Sequence, residues 1–351
     1  SSYEYDESKI EINFLKHFLK SPEFVEALKE QVPGGIKTEI KPKHLLPLKV
    51  YIPTEISVQR KVVDFLNEVN SKIETLSTTL THQLHLVKQL RQAFLREAMQ
   101  GKLLPRDPAD EPASALLARI RAEKERLRRE GRIKKEKPLP PIKPEELPFE
   151  APEGWVWCRL GEVCTMITSG SRNWNKYYSK EGALFIRSQN IRPTEIDLSN
   201  KAFVKIPQSI EGQRTSVRLF DILITITGAG VSNTGILEDV SFGEGYVSQH
   251  VALVRLVDAN IAKWVFKSIV ADSVGKGQMS NSIYGDKPGL NLNQINRLMI
   301  PLPPLPEQHR IVARLDALMQ SCDALEASIR AGQERNAQLL QQVLREALGG
   351  K

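Results

Sequence analysis

Cysteine is scarce in this sequence, with three in 351 residues. Cys158, Cys164 and Cys322 follow no metal-ligand or redox spacing, and an odd count argues against a disulfide framework. Six scattered histidines form no cluster, so no metal is expected. No apolar run approaches the roughly 18–20 residues needed to cross a bilayer. The opening Ser1-Ser2-Tyr3-Glu4 is acidic and polar, not a signal peptide, and it lacks Met. The chain therefore reads as a cytoplasmic, processed or truncated piece of something longer, with no membrane partner.

Catalytic motifs are missing too. There is no Gly-x-x-x-x-Gly-Lys-Ser/Thr, and Val274-Gly275-Lys276-Gly277 does not fit one. Neither His-Glu-x-x-His nor Gly-x-Ser-x-Gly occurs, and no Asn/Asp-Pro-Pro-Tyr of the kind amino-methyltransferases use. His250, after Ser248-Gln249, reads better as a strand-edge histidine satisfied by hydrogen bonds than as a base. No catalytic residue and no cofactor are expected.

What is present is a repeated helix. Apolar residues between Val62 and Phe94 form two seven-residue ladders, Val62, Val69, Leu76, Gln83, Leu90 and Leu66, Ile73, Leu80, Val87, Phe94. Alternating steps of four and three hold one seam on one side of a helix. With Gln59 aligned on Gln308, an offset of 249 positions gives a second set, Ile311, Leu318, Leu325, Gly332, Leu339 and Leu315, Cys322, Ile329, Asn336, Val343. Two copies that each need an apolar partner are read as partners of each other. About 43 residues at ~1.5 Å each make a helix roughly 65 Å long.

The repeat extends upstream. A helical pattern (Ile12 to Leu28) stops at Pro33-Gly34-Gly35, then come extended pieces Ile36–Ile40 and Leu45–Ile52. Before the second long helix the order recurs: a helix at Ala262–Val270, a break at Gly275–Gly277, and Leu298-Met299-Ile300 leading into Pro301–Pro306. Residues 1–54 are thus expected to be the tail of a domain whose fuller copy is 151–304. Residues 55–104 and 305–351 are the two long helices. Residues 105–150 hold a basic helix, Ser114 to about Glu130, and a linker with six prolines in Pro138–Pro152. Arg119, Arg121, Lys124, Arg126, Arg128, Arg129, Arg132, Lys134, Lys135 and Lys137 could face phosphates. Glu123, Glu125 and Glu130 interleave at pairing distances and favour a solvated helix instead.

Within 151–304, β-branched runs predict strands at Ala183–Arg187, Ile222–Thr227, Gly235–Leu237 and Val251–Leu256. Polar loops lie between them. Arg suits guanine, Asn and Gln suit adenine, and Ser or Thr either base. Net charge +7 makes a polyanion partner plausible. The DNA-facing candidates are Ser169, Ser171, Arg172, Asn173, Lys176, Tyr177, Arg187, Gln189, Asn190, Arg192, Thr227, Ser232, Asn233 and Lys276.

The sequence resembles the specificity (S) subunit of Type I DNA restriction-modification systems. Leu147-Pro148-Phe149 through Pro152-Glu153-Gly154-Trp155-Val156-Trp157, with Leu160-Gly161-Glu162, resembles the opening of a target recognition domain. Leu184-Phe185-Ile186-Arg187-Ser188-Gln189-Asn190-Ile191 resembles that domain's Phe-Ile-Arg-x-x-Asn-Ile strand. Asp221-Ile222-Leu223-Ile224 resembles its Gly-Asp-Ile-Leu segment, with Phe220 where glycine is usual. Lys287-Pro288-Gly289-Leu290-Asn291 and Ile300–Gln308 resemble the exit into the conserved helix.

The resemblance implies an α+β architecture: α/β target recognition domains joined by two long antiparallel helices. Each domain reads one half of a split site on double-stranded DNA. The helices set the gap and hold two methyltransferase (M) subunits, which carry S-adenosylmethionine chemistry on adenine, and a restriction/motor (R) subunit can join. The S subunit itself is not catalytic. With only the tail of a first recognition domain, this chain is expected to read at most one half-site. The competing reading is a non-catalytic coiled-coil scaffold that binds protein partners.

Overall fold

The computed structural model describes residues 6–31, 45, 47, 48, 52–135, 137–207, 212–283 and 289–348. The extended pieces expected at 36–40 and 45–52 fall wholly or mostly outside these. The helices are α1 (Ile12–Phe18), α2 (Pro22–Gln31), α3 (Ile56–Met99), α4 (Ala113–Arg129), α5 (Gly212–Thr215), α6 (Ala262–Val270), α7 (Gly275–Ser282), α8 (Leu292–Asn296) and α9 (Leu305–Leu348). The strands are β1 (Val156–Arg159), β2 (Cys164–Ser169), β3 (Tyr178–Ser179), β4 (Ala183–Ile186), β5 (Phe203–Val204), β6 (Ile222–Thr225), β7 (Thr234–Ile236), β8 (Gly245–Val247), β9 (Val251–Leu256) and β10 (Met299–Leu302). Two compact units result, one of residues 1–89 with 321–351 and one of residues 90–320.

In the first unit, the expected single N-terminal helix divides at Pro22, whose ring suits a helix's first position and not its interior. Ser21 caps the second piece, its Oγ accepting from the Phe24 N–H at 3.2 Å. Phe14 and Phe18 pack with Val63, Leu66, Leu344 and Leu348. Gln59 is fully buried and anchors this end of α3: it accepts from the Glu11 N–H (2.8 Å) and donates to the carbonyls of Lys9 (2.9 Å) and Pro53 (2.7 Å). In the second unit its counterpart Gln308 is buried likewise and donates to the Pro303 carbonyl at 2.8 Å.

α3 and α9 run antiparallel. Asn336 Nδ2 donates to the Ile73 carbonyl (3.1 Å) and Gln333 Nε2 to Thr81 Oγ1 (3.4 Å), so numbers rise along one helix as they fall along the other. The seam is narrower than the ladders predict. Leu66, Ile73, Val87, Leu315, Cys322, Ile329 and Asn336 are buried, with Leu80, Phe94 and Val343 partly so. Ile311 is buried as well, while Val62, Val69 and Leu318 are intermediate. Leu76, Leu90, Leu325 and Leu339 do not close into it: they are 46%, 39%, 47% and 50% exposed. One ladder thus takes the contact line, and the other leaves its leucines at the edge of the pair.

The second unit is layered. β2-β9-β6-β7 form one antiparallel sheet, and β3-β5-β4-β8 form another in which β4 and β8 are parallel. Alternate residues point opposite ways along a strand. Ile222, Ile224, Ala252, Val254 and Leu256 face the helix-side core with Trp264, Val265 and Ile269 of α6. Leu223, Val251 and Leu253 face Leu184, Ile186 and Val247 of the other sheet. On the far side of β4, Phe185 joins Trp174, Val204 and Tyr246. Phe220 sits at φ 66°, the left-handed region that glycine adopts without a Cβ penalty. Gly275, expected as a breaker, instead opens α7, where its missing Cβ lets the chain pass against the Ile269 backbone.

Candidate nucleic-acid interface

Sheet topology brings the polar loops to one place. β2 ends at Ser169, and Gly170 then passes so close to β8 that a Cβ would lie 2.0 Å from the Val247 carbonyl oxygen. Gly170 N donates to the Ser248 carbonyl (3.2 Å), and Ser248 N donates to that of Ile186 at the end of β4 (2.9 Å). The loop after β6 joins through Thr227 Oγ1, hydrogen-bonded to His250 Nδ1, and through Asn233 Nδ2, which donates to the Ile191 carbonyl at 3.1 Å. Beneath the loops, Trp174 stacks on Phe185 (centroids 5.5 Å apart) and meets Tyr246 edge-on.

These loops enclose a cleft of about 420 Å³ lined by Asn173, Trp174, Tyr178, Phe185, Arg187, Ser188, Gln189, Ser248, Gln249 and His250. Three residues singled out from sequence meet in it: Asn173, Arg187 and Gln189. Ser248, Gln249 and His250 were missed as a group. Their signal was a run of three polar side chains between two apolar strands.

Several candidates hold the loops together rather than face outward. Asn190 is 3% exposed, and its amide is fully engaged by main chain: Oδ1 accepts from Arg187 N (3.0 Å), and Nδ2 donates to the carbonyls of Asp197 and Asn200 (both 3.0 Å). It braces the loop and is not free to read a base. Asn233 ties two loops, as above, and Ser232 occupies a left-handed turn at φ 74°. Arg187 Nη2 donates to the Asn200 carbonyl (2.9 Å), and Gln189, with its amide oxygen toward Arg187, accepts at 3.2 and 3.3 Å. That orients an arginine at the cleft instead of leaving it to sample rotamers.

The remainder line the rim or lie away. Arg192 is exposed and pairs with Asp197 at 3.0 Å. The Asp197 carboxyl is held down at about 2 by the Ser199 hydroxyl and N–H, with Arg192 adding to them. Ser171 Oγ accepts from Arg214 Nη2 at 3.4 Å, Lys176 Nζ lies 5.0 Å above the Tyr177 ring, and Arg172 and Thr227 are exposed. Lys276 is not brought to the cluster. It belongs to the first turn of α7, which packs on α6 and α8, and pairs with Asp272 at 3.2 Å.

A second cleft, about 710 Å³, adjoins β2 and is lined by Leu127, Arg132, Ile133, Lys134, Thr165, Met166, Ile167, Thr168, Arg214, Arg218, Arg255 and Leu292. Among the described residues that line it none is acidic. Arg214 joins it to the loop after β2, since Nη1 donates to Thr168 Oγ1 (3.1 Å) while Nη2 reaches Ser171. Arg255 is neutralised by buried Asp221 at 2.6 Å, whose carboxyl is itself pushed up by burial. The body of α4 is also neutralised: Arg126 pairs with Glu123 and Glu130, Arg119 with Glu111, Arg121 with Glu162 and Arg128 with Glu125. Past the helix Arg132 also reaches Glu130, at 3.7 Å, and with Lys134 it lines the second cleft.

Among the described residues no three His, Cys, Asp or Glu side chains gather as metal ligands, and no helix is long and apolar enough to cross a membrane. All three cysteines are buried as free thiols, and burial pushes the Cys158 thiol up to about 12.

The family model for the Type I restriction modification DNA specificity domain matches residues 152–334. The EcoAI Type I specificity subunit of Escherichia coli is 33% identical over 281 residues, covering 77% of this chain and 46% of that protein. The EcoEI subunit of the same species is 29% identical over 290 residues, with the same coverage. The chain thus spans about half the length of these relatives. Among solved structures, a chain from a type I R-M system assembly superposes with a TM-score of 0.70 at 19% identity, covering 98% of this chain and 72% of that one. The HsdS subunit from Thermoanaerobacter tengcongensis gives 0.50 at 20% identity, covering 98% and 71%. At such identities the likeness is one of fold.

Proposed function

Since the chain belongs to the Type I restriction modification DNA specificity domain family, we propose that it is the non-catalytic DNA-reading subunit of a Type I restriction-modification complex. Residues 151–304 act as a target recognition domain for one half of a bipartite site. The observation that carries this is the cleft where Asn173, Arg187, Gln189 and Gln249 converge on rigid strand ends. Arginine and primary amides are the side chains that pair bidentately with base edges. The basic cleft beside it supplies sequence-independent phosphate contacts.

On this reading α3 and α9, with their surrounding segments 55–104 and 305–351, fix the distance between half-sites. The half-exposed Leu76, Leu90, Leu325 and Leu339 offer apolar surface to two methyltransferase subunits, and a restriction/motor subunit completes the assembly. The same leucines are what favours the scaffold alternative.

Anisotropy titrations against a DNA panel, with methyltransferase subunits present, test the proposal. Joint replacement of Arg187 and Gln189 by Ala is expected to cost at least about 1–3 kcal/mol on the cognate site alone. Joint replacement of Arg132 and Lys134 by Ala should weaken all sequences alike and flatten the salt dependence by about one per charge removed. Equal affinity for every sequence, with methyltransferase binding lost in the Arg187 variant, would favour the scaffold.

A further inference from the structure

The helix pair ends twice in equivalent residues. In one unit, residues 94–99 of α3 meet 305–315 of α9; in the other, 343–348 and 56–66 repeat them at the constant offset of 249. The first of these ends is covered. Leu116, Leu117 and Ile120 of α4 share a core with Leu95, Ala98, Met99, Ile311 and Leu315. Asp110, just ahead of α4, takes both η-nitrogens of Arg310, the closer at 2.5 Å. Trp155 Nε1 donates to Glu307 at 3.1 Å. Ile311, Ala98 and Glu307 are all buried at this end.

The equivalent positions at the other end are open. Val62 and Ala347, counterparts of Ile311 and Ala98, are only half-buried, and Val58, counterpart of Glu307, is 39% exposed. With Lys61, Phe65, Val343 and Glu346 they line a groove of about 450 Å³. Lys61 stands where Arg310 stands. One difference between the copies runs against solvation: the open end has Phe65 for the exposed Arg314, and Phe65 is 52% exposed. A surface left to water favours the charged version, so apolar replacements mark a contact surface.

We propose that this groove docks a second helix of the α4 kind. Its occupant is an amphipathic segment led by an aspartate and carrying apolar side chains at i, i+3, i+4 and i+7, as Ala113, Leu116, Leu117 and Ile120 do in α4. The aspartate pairs with Lys61 as Asp110 pairs with Arg310, and the apolar stripe covers Val62 and Ala347 and runs past Phe65, whose counterpart Arg314 stays exposed. This goes beyond the DNA-reading function and does not depend on it.

The test uses the full chain and a fluorescein-labelled peptide of residues 105–131. Saturable binding of one peptide per chain is expected, weakened at least tenfold by Phe65→Arg and by Lys61→Glu and unchanged by Arg187→Ala. Phe65→Arg places at an exposed position the side chain its counterpart already carries, so folding is retained and circular dichroism verifies it. Three results overturn the proposal. One is no saturation by about 100 μM, weaker than about −5.5 kcal/mol. Another is binding indifferent to both groove variants, as when the peptide merely displaces the chain's own α4. The third is a chain dimer that Phe65→Arg dissolves, which assigns the groove to a second copy.

Discussion

Gln189 and Asn190 are neighbours with the same functional group and opposite roles. Asn190 is buried with its amide held by main chain on both sides, while Gln189 stands exposed at the cleft beside Arg187. The helix pair divides its leucines the same way: Leu66 is 1% exposed, and Leu76 on the other ladder is 46%. In both regions one residue type serves first to build the structure and then to present a surface. Burial separates the two uses where chemistry does not.

Paired substitutions break or sharpen this comparison. The largest effect is expected at the helices. Leu66→Ala should lower unfolding free energy by about 2–5 kcal/mol in urea titration, the range for a filled core site. Leu76→Ala should stay within about 0.5 kcal/mol, as for surface changes, and instead weaken methyltransferase binding. Equal losses of stability would erase the distinction between ladders. Next come the loops. Asn190→Ala should destabilise by roughly 1–3 kcal/mol by leaving buried main-chain groups unpaired, and DNA binding falls with the fold. Gln189→Ala should leave the melting temperature unchanged and reduce cognate affinity about tenfold, the lower end of a lost base pairing. The smallest effect concerns Gly332, where an added Cβ would sit in ordinary contact, 3.5 Å from Leu80 Cδ2. Gly332→Ala should therefore raise stability by ~1 kcal/mol, the helix-propensity difference, read as a higher melting temperature.

The long helices were legible because a seven-residue pattern is a property of the sequence itself. α4 fell within a residue of its expected bounds at each end, and β9 at its expected ones. Polar loops were legible as a group for the same reason: they interrupt β-branched runs. What could not be read was which of their side chains the fold would use internally. Asn190 became a brace because the chain turns back at 197–200 to meet it, a closure over seven to ten irregular residues that no periodic pattern records. Lys276 was drawn from the interface by a helix start at a glycine taken as a breaker. Ser248-Gln249-His250 reached the cleft through the parallel pairing of β4 and β8, which depends on topology.

The middle of α3 carries Thr75, Thr78, Thr79 and Thr81, each hydroxyl bonded back to the carbonyl four residues earlier at 2.8–2.9 Å. Such back-bonds compete with the helical ladder and bend helices. Across from this stretch stands Gly332, the poorest helix former of α9 bar its proline. Residues that weaken helical order thus face each other at one level of the pair, so local opening of α3 and α9 is expected to start there and not beside the buried anchor at Gln59.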